Sequence, residues 1–265
     1  MIITSTGNQY VRLLKSLHAK KGRAQHGLFL VEGVKLVQEA LDAGLRLHSV
    51  AFSASALGAL ETVRVRAGQA GAPVHVLEDR VMSFAADVQT PQGVLAAVHM
   101  WDLALPENIR ALPRVIVALE RMQDPGNMGA IIRTAEAAGA GAAVLSPGCC
   151  EPFSPKVVRG AMGSVLRVRL YQAPDFPHFL RQCADAGYAV VAGALDGENV
   201  FLEHIHRDKF VLLIGNEASG LTEEALTCAA HRVRIPMAGR TESLNAGVAA
   251  GILLYELQRE KFQKV

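Results

Sequence analysis

Three short segments in the C-terminal half of the chain combine glycines with a few polar side chains, each beside an apolar run. Residues 127–133 read Asn-Met-Gly-Ala-Ile-Ile-Arg, residues 215–220 read Gly-Asn-Glu-Ala-Ser-Gly, and residues 235–245 read Ile-Pro-Met-Ala-Gly-Arg-Thr-Glu-Ser-Leu-Asn. Glycine lets the backbone come close to a ligand, and these polar side chains suit a hydroxyl or a phosphate. The three segments are therefore candidates for one ligand site.

The first segment has an ordinary structural interpretation as well as a functional one. Asn127 follows a Pro-Gly turn, which is typical of a helix N-cap, and Arg133 could pair with Glu136 on a solvated helix face. Gly129 lies four residues before Arg133, so the two share a helix face and the glycine leaves space beside the guanidinium. In the functional interpretation, the Arg133 guanidinium donates paired hydrogen bonds to a phosphate or to a reacting sugar.

The second and third segments also leave alternatives open. The loop that contains Glu217 precedes a helix that Thr222 is predicted to cap. Glu217 could orient the loop, hold Asn127 or accept a proton, and the sequence does not choose among these roles. Ser243 could cap the last helix of the chain, which would be compatible with a role in the site.

Two other patterns are less informative than they look. Gly139-Ala-Gly141 resembles part of a dinucleotide fingerprint, but it follows a predicted helix and precedes a strand, so we interpret it as a helix C-cap and turn. Cys149 and Cys150 are adjacent but have no further Cys or His partner nearby, so we expect buried thiols and no metal site. A dinucleotide oxidoreductase is accordingly a distant alternative.

Taken together and in this order, the three segments resemble the signature of the SpoU/TrmH class of SPOUT methyltransferases, which methylate RNA ribose. The resemblance implies S-adenosylmethionine as the cofactor and a C-terminal parallel-sheet domain with a trefoil knot that pairs into a homodimer. The catalytic residues that it implies are Asn127, Arg133, Glu217, Ser243 and Asn245. The implied cofactor-binding residues are Gly193, Gly215, Ile235, Met237 and Leu244.

The chain is long enough for two domains. Two prolines flank a polar stretch near residues 105–112, which we interpret as a linker between residues 1–104 and residues 113–265. Lys20-Lys-Gly-Arg, Phe29-Leu-Val-Glu-Gly and Thr90-Pro-Gln-Gly-Val-Leu-Ala are similar to pieces of the substrate-binding domain that often precedes a SpoU catalytic domain. That resemblance implies a small α/β, ribosomal-protein-like RNA-binding domain.

Hydrophobic periodicity predicts an α/β fold in both parts. The N-terminal part has predicted helices at residues 10–17 and 34–41 and strands at 28–31, 47–52, 74–77 and 94–98. In the C-terminal part, strands are predicted at residues 114–119, 142–146, 164–170, 189–194, 210–214 and 233–235. Helices are predicted at residues 128–138, 156–162, 176–186 and 244–259, with a short helix from residue 223. Repeated strand–helix units favour a parallel sheet covered on both faces.

The net charge is only +2, but the basic residues are clustered. Five basic residues and no acidic residue precede Glu32, and a second acid-free basic stretch follows residue 155. Such clusters suit a polyanion, although a solvated charged face is the simpler interpretation of either one alone. The RNA-binding candidates are Arg12, Lys20, Lys21, Arg23, Lys156 and Arg159.

The sequence shows neither a basic leader with an apolar core nor an apolar run long enough for a membrane helix. We therefore expect a cytoplasmic protein with no membrane or metal partner. The predicted activity is 2'-O-ribose methylation of structured RNA, with large-subunit rRNA favoured. The alternatives are a tRNA ribose or base-directed SPOUT methyltransferase and a non-catalytic RNA-binding protein on this fold.

Overall fold

A computed structural model describes residues 1–202 and 208–263. The chain divides into two compact units. The first unit comprises Met1–Trp101 together with Phe153–Leu166, and the second comprises Asp102–Pro152 together with the chain from Arg167 onward. The segment 153–166 is therefore remote in sequence from the unit to which it belongs.

Strands and helices alternate along most of the described chain. The strands are β1 (Ile2–Ile3), β2 (Leu28–Glu32), β3 (Leu47–Ser53), β4 (Val74–Leu77), β5 (Val94–His99), β6 (Val115–Leu119), β7 (Ala142–Leu145), β8 (Arg169–Gln172), β9 (Ala189–Asn199), β10 (Phe210–Ile214) and β11 (His231–Arg234). The helices are α1 (Gln9–Ser16), α2 (Lys20–His26), α3 (Val34–Asp42), α4 (Glu61–Gln69), α5 (Asp79–Ala85), α6 (Pro125–Ala137), α7 (Pro155–Gly160), α8 (Phe176–Asp185), α9 (Glu223–Thr227), α10 (Ala246–Glu256) and α11 (Arg259–Phe262). Short 3-10 helices occur at Ile109–Ala111 and Ser164–Leu166.

The first unit is built on a mixed sheet with the strand order β1-β4-β3-β5-β2. Strand β4 pairs in parallel with β1 and β3, whereas β5 pairs antiparallel to β3 and β2. Apolar residues of α1, α5 and the sheet form its core, among them Leu14, Met82 and Leu95. The aromatic rings of Phe29, Trp101 and Phe153 also pack together, which ties the segment 153–166 to this unit.

Arg23 has a structural role in this unit, and its assignment as an RNA-binding residue is corrected. Its side chain is only 3% exposed. The guanidinium donates to the carbonyl oxygens of Leu17 (2.7 Å) and His18 (2.8 Å), just beyond the last turn of α1. These carbonyls have no partner within the helix, so the buried arginine satisfies them and is not accessible to a phosphate.

The described part of the second unit contains a six-stranded sheet in which every pair of neighbours is parallel. Its order is β11-β9-β10-β6-β7-β8. Strands β6, β7 and β10 are buried along their whole length, as expected for a parallel sheet covered on both faces. The predicted α/β class with a parallel sheet is confirmed.

Because the strands are parallel, their carboxyl ends lie at one edge of the sheet. The three glycine-containing segments follow β6, β10 and β11, so all three begin at this edge. Strands β10 and β6 are direct neighbours, and β9 separates β10 from β11. The fold thus brings residues 127–133 to the segments that begin at residues 215 and 235, which are far from them in sequence.

Several predicted boundaries were wrong. Residues 164–170 do not form one strand, because a tight turn at Met162 and Gly163, both with positive φ, leads into the 3-10 helix Ser164–Leu166, and β8 begins only at Arg169. An apolar run alone does not distinguish these conformations. Strand β9 extends five residues beyond its predicted end and pairs with β11 across a register shift.

The ends of the chain's helices also differ from the prediction. The last helix begins at Ala246, because the Asn245 side chain caps it, and it ends at Glu256 before the separate α11. Short elements that lack a clear period were not predicted, namely β1, α2, α4 and α5. Residues 109–111, within the predicted linker, form a 3-10 helix, and Leu112 just after them accepts a hydrogen bond from the Tyr188 hydroxyl (2.9 Å).

Candidate active site

A cleft of about 420 Å³ lies at the carboxyl edge of the parallel sheet of the second unit. All five predicted cofactor-binding residues line it, together with four of the five predicted catalytic residues. These nine residues are Asn127, Gly193, Gly215, Glu217, Ile235, Met237, Ser243, Leu244 and Asn245. The volume is within the range of small-molecule sites, roughly 300–1,000 Å³.

The Glu217 carboxylate joins the second segment to the first. It accepts hydrogen bonds from the backbone N–H groups of Asp124 (2.9 Å) and Gln123 (3.3 Å). It also accepts one from the Asn127 side-chain amide (3.2 Å). Of the roles that the sequence left open, the contacts favour holding Asn127 and orienting the loop.

The ionisation of Glu217 supports the same role. Partial burial raises the pKa of this carboxyl group, but hydrogen bonds from the Asp124 N–H, its own N–H, the Asn127 amide and the Gln123 N–H outweigh burial and leave the pKa below its ordinary value. A carboxylate with a lowered pKa is a weak proton acceptor at neutral pH. Glu217 is therefore better suited to orientation than to base catalysis.

Asn127 also joins the first segment to the third, because its side-chain oxygen accepts a hydrogen bond from the Asn245 amide (2.8 Å). Asn127 and Ser243, which the simplest interpretation of the sequence assigns as helix caps, do not cap their helices. Asp124 caps α6 by accepting from the Asn127 N–H (2.7 Å), and Asn245 caps α10. Because Ser243 is not the cap and makes no hydrogen bond within the described chain, its exposed hydroxyl can serve a ligand.

Two glycines of the cleft occupy positions that a larger residue cannot fill. A Cβ atom at Gly215 would lie 2.3 Å from the backbone carbon of Gly220, so the loop can close on itself only with glycine there. A Cβ atom at Gly193 would lie 2.9 Å from a methyl group of Leu253 on α10. Both glycines therefore allow close approach of the elements that form the cleft walls.

Sequence reasoning missed two residues that support the loop. Glu120 is only 5% exposed, and its carboxylate accepts hydrogen bonds from the Thr222 hydroxyl (2.7 Å) and N–H (2.8 Å). Asn216 folds the loop through its side-chain oxygen, which accepts from the N–H groups of Ala218 and Ser219. The available signal for Glu120 was a carboxylate directly after a wholly apolar strand. Thr222 caps α9, as predicted.

Arg133 is the one predicted catalytic residue that does not line the cleft. Its side chain is exposed on α6, about 9 Å along the helix axis from Asn127. The alternative interpretation of Arg133 as a surface partner of Glu136 is excluded in this structure, because Glu136 binds Arg167 instead (2.9 Å). In the described part of the chain, Arg133 makes no hydrogen bond or ion pair, so its guanidinium is available to an external anion.

The remaining RNA-binding candidates all lie in the first unit. Arg12, Lys20, Lys21 and Lys156 are exposed. Arg159 is half-buried and forms an ion pair with Asp87, which also contacts His18 (3.1 Å). Partial burial raises the pKa of Asp87, but the Arg159 guanidinium and His18 outweigh burial and leave the pKa below its ordinary value. The charge of Arg159 is thus partly neutralised by Asp87 within its own unit.

The cysteines are free thiols in this structure. Burial raises the pKa of Cys149, and burial followed by neighbouring Cys149, Glu217 and Asp124 raises the pKa of Cys150 to about 12. Within residues 1–202 and 208–263, no three His, Cys, Asp or Glu side chains are arranged to hold a metal ion. No helix in the same ranges has the length and apolar character to cross a bilayer.

A cleft at the carboxyl edge of a parallel sheet, with glycine loops and apolar walls, defines an α/β protein that binds a nucleotide-like cofactor. Ile235, Leu244 and Leu253 offer apolar surface to an aromatic base, and the carboxylates of Glu217 and Glu242 suit a cationic group. S-adenosylmethionine has both features, so the residues fit the cofactor that the sequence implied.

Comparison with known proteins agrees with this class. Residues 114–255 match the SpoU rRNA Methylase family, and residues 8–96 match the MRM3-like substrate binding domain. The chain is 34% identical over 257 residues to the Bacillus subtilis 23S rRNA (guanosine(2553)-2'-O)-methyltransferase RlmP, covering 97% of this chain and 98% of that protein.

Solved structures give the same result. The AdoMet-bound rRNA methyltransferase from Sinorhizobium meliloti superposes with a TM-score of 0.88 at 34% identity, covering 98% of each chain. The AdoMet complex of the SpoU methyltransferase AviRb from Streptomyces viridochromogenes gives 0.81 at 27% identity, covering 97% of this chain and 100% of AviRb. The chain belongs to the SpoU rRNA methylase family, and it is an RNA methyltransferase that uses S-adenosylmethionine.

Proposed function

We propose that this enzyme methylates the ribose 2'-hydroxyl of a nucleotide in large-subunit rRNA. The observation that carries the proposal is the cleft, which is lined by residues of the three glycine-containing segments and by nine of the ten predicted catalytic and cofactor-binding residues. The near full-length similarity to RlmP, whose name specifies 2'-O-methylation of 23S rRNA, supports both the ribose and the class of RNA.

The proposed chemistry requires alignment of the two reactants more than activation of the methyl donor. Bound S-adenosylmethionine would supply a methyl group on a cationic sulfur, and the ribose oxygen would attack the methyl carbon in line with the carbon–sulfur bond. That bond would break to release neutral S-adenosylhomocysteine, and the hydroxyl would lose its proton. The enzyme must hold the two reactants close together and make the hydroxyl more nucleophilic. The linked side chains of Glu217, Asn127 and Asn245 fix the three loops relative to one another, and Ser243 presents a free hydroxyl beside them.

Backbone and apolar atoms would bind the cofactor in this proposal. Ile235, Met237 and Leu244 belong to the third segment, whereas Gly193 lies within β9 and Gly215 directly follows the neighbouring strand β10. Their proposed role is to bind the adenosine portion and to leave the methyl group facing the polar side chains.

Arg133 is proposed to stabilise negative charge on the ribose oxygen and to anchor the adjoining phosphate. A guanidinium is protonated at all accessible pH values, so it cannot act as the base. It can instead donate two parallel hydrogen bonds to an anion. Its exposed and unpaired state in the described chain supports this role. The proton would leave through a phosphate oxygen, Glu217 or water, and the lowered pKa of Glu217 disfavours the second route.

The first unit is proposed to bind the RNA. Helices α2 and α7 both pack against the edge strand β2, and they carry the exposed cations Lys20, Lys21 and Lys156. Arg12 on α1 adds a further exposed cation in the same unit. A protein that reads rRNA needs such contacts to phosphates, because they supply most of the affinity and fix the orientation.

We further propose a cytoplasmic homodimer formed through the C-terminal unit, with the trefoil knot that the family resemblance implies. Helix α10 supports the pairing surface, because Val248 and Tyr255 are 52% and 45% exposed and lie seven residues apart on one face. A second copy would cover this apolar surface. Gly247 and Gly251, which lie beside this face, let α10 approach α6 closely.

The test is methyl transfer from labelled S-adenosylmethionine to total RNA from cells that lack this gene. Nuclease digestion and mass spectrometry then identify the modified atom and position. We expect a 2'-O-methyl nucleotide in large-subunit rRNA, and RNA from cells with the gene serves as the control because its site is already filled. A methylated base, a tRNA product or no transfer at millimolar cofactor would each contradict the proposal.

A further inference from the structure

Arg121 has an unusual backbone conformation beside the cleft. It directly follows Glu120 after the end of β6 and has a φ of 50°. This is a left-handed backbone conformation that residues other than Gly, Asn and Asp adopt rarely. In the described chain, Met162 is the only other non-glycine residue with positive φ. Such conformations persist when the surrounding structure enforces them, and they concentrate at functional sites.

The surroundings hold the Arg121 backbone on both sides. Its N–H donates to the Ser146 hydroxyl (2.9 Å), which follows β7. Its carbonyl oxygen accepts from the Asn216 side-chain amide (2.8 Å), which follows β10 and lines the cleft. Arg121 is therefore fixed between the carboxyl ends of the two strands that flank β6.

The Arg121 side chain extends from this fixed point toward the turn after β7. A Cβ atom at Gly148 would lie 3.4 Å from the Arg121 Cγ, so the side chain packs along that glycine. Both residues are exposed. The arginine thus lies at the carboxyl edge of the sheet on the β7 side of β6, whereas β10 and the cleft lie on the other side.

The neighbouring carboxylates do not neutralise this arginine. Glu120 is engaged by Thr222, and Glu217 is engaged by the backbone N–H groups of Gln123 and Asp124. Within the part of the chain that the structure describes, Arg121 forms no ion pair, and the Gly148 N–H donates no hydrogen bond. An exposed guanidinium and a free backbone N–H that lie together are donors suited to an anion.

We propose that Arg121 and the Gly148 turn form a phosphodiester-binding site that anchors the RNA beside the cofactor cleft. This inference rests on the proposed function only in taking RNA as the substrate. A position with positive φ would be filled with less strain by glycine or asparagine, neither of which carries charge. The arginine is explained if its guanidinium binds a phosphate that every substrate RNA presents at this edge.

The test compares Arg121→Asn with the matched control Arg110→Asn in the full-length enzyme. Arg110 is also exposed, but it precedes β6 and so lies toward the opposite end of the same strand. The measurement is the dissociation constant for a large-subunit rRNA transcript, and for an unrelated structured RNA of equal length, over a series of salt concentrations. Melting temperature and S-adenosylmethionine affinity are measured for each variant.

For Arg121→Asn we expect roughly tenfold weaker binding of both RNAs and a salt dependence reduced by about 0.7–0.9 in the slope of log K against log salt, the loss of one phosphate contact. Its melting temperature and cofactor affinity should match the wild type, because asparagine accepts the backbone conformation. Arg121→Lys should restore the slope but only part of the affinity. Arg110→Asn should leave both unchanged.

An unchanged slope in Arg121→Asn would overturn the inference, as would an equal loss in Arg110→Asn or an absence of salt-dependent RNA binding by the wild type. These outcomes are separate from those that test the proposed function. A wild type that binds RNA with the expected Arg121 dependence but transfers no methyl group to ribose would contradict the proposed function and leave the phosphate site intact.

Discussion

At the scale of single side chains, the site depends on a short chain of hydrogen bonds that runs from Asn245 through Asn127 to Glu217. Each residue belongs to a different glycine-containing segment, so three side chains align three loops. The carboxylate has the most partners in this arrangement, because it accepts from the backbone N–H groups of Gln123 and Asp124 and from the side-chain amides of Asn127 and Asn216. Its lowered pKa reports that the ionised form fits the folded loop better than the protonated form.

Glu217→Gln should weaken this alignment. The glutamine amide places donors opposite donors, and we expect a loss of about 1 kcal/mol in the free energy of unfolding, a modest value because the side chain is exposed. Methyl transfer should fall more than stability, because the loops of the cleft lose their common anchor. Thermal melts and single-turnover transfer measure the two effects.

The pH dependence of that variant has a defined sign. Since folding lowers the pKa of Glu217, its contribution is complete above the ordinary value of 4.5 and is lost as pH falls through the lower folded value. The stability difference between wild type and Glu217→Gln should therefore be constant from pH 7 to 5 and shrink below 4.5. A difference that grows on acidification would contradict this account.

Arg133→Lys tests whether a planar fork is needed. The ammonium keeps the positive charge but cannot donate two parallel hydrogen bonds to one anion. We expect cofactor affinity to be retained and most turnover to be lost, by roughly 100-fold if one charge-assisted contact to the reacting oxygen disappears. Equilibrium binding of S-adenosylmethionine and steady-state kinetics provide the readouts, and wild-type turnover in the variant would refute the role.

At the scale of elements, the cleft depends on how closely backbones approach at the ends of strands. The loop after β10 turns back so tightly that Gly215 and Gly220 are in backbone contact. The Asn216 and Gly220 backbones also exchange two hydrogen bonds (3.0 and 2.9 Å). The loop is thus a small closed unit that presents Glu217 on one side and cofactor-facing backbone on the other.

Gly215→Ala should open this unit. The added methyl group would overlap the Gly220 backbone, which cannot move as a flexible side chain would, and we expect about 1–3 kcal/mol of destabilisation with a large loss of cofactor affinity. Gly68→Ala on α4 is the matched control, because its Cβ would meet nothing within 4 Å. Calorimetric titration with S-adenosylmethionine would distinguish them, and equal affinities would show that the loop tolerates the methyl group.

The sheet of the first unit should confer a separate pH dependence. Burial, followed by the charge of His48, lowers the pKa of His75, whose ring lies 3.9 Å from that of Tyr10. Burial, followed by Arg46 and His48, lowers the pKa of His99. The unfolded chain therefore binds protons at a higher pH than the folded chain, so stability should fall as pH decreases below the ordinary value of 6.5.

His75→Phe keeps a ring against Tyr10 but cannot be protonated. The decline in melting temperature between pH 7 and 5 should therefore be shallower in this variant than in the wild type. Melts at a series of pH values measure the slope. A slope equal to that of the wild type would assign the pH dependence to other groups.

At the scale of the whole molecule, the exposed face of α10 bears on how many chains form the enzyme. Val248 and Tyr255 leave apolar surface uncovered, and Tyr255 stacks on Phe262 at 4.8 Å, which extends the apolar area to α11. Gly247 and Gly251, beside this face, keep α10 close to α6, the helix that carries Arg133. Assembly and catalysis would therefore share one pair of helices.

Val248→Glu combined with Tyr255→Glu should convert the proposed dimer to a monomer, because charged residues oppose burial at a symmetric apolar contact. Light scattering after size-exclusion chromatography measures the mass. Val65→Glu on α4 is the control, since Val65 is also exposed (42%) but lies in the first unit. A wild type with the mass of one chain would contradict the dimer.

The α/β class, the positions of most strongly apolar elements and, through the family resemblance, the cofactor could be predicted from the sequence. Strand Phe210–Ile214 was predicted to the residue, because its continuous apolar run is bounded by the charged Asp208-Lys209 on one side and by Gly215 on the other. The same local patterns indicated Asn127, Glu217 and Asn245 without revealing their contacts, since hydrogen bonds across about a hundred residues leave no periodic signal.

Only the tertiary structure decided which side chains are available to a ligand. It buried Arg23 against the end of α1, engaged Arg159 with Asp87, paired Glu136 with Arg167 rather than Arg133, and placed Asn245 instead of Ser243 at the cap of α10. It also revealed Arg121, whose backbone is held at positive φ by hydrogen bonds with residues that follow two other strands. The physical reason is that secondary structure follows from neighbouring residues, whereas burial and pairing depend on which distant segments the fold brings together.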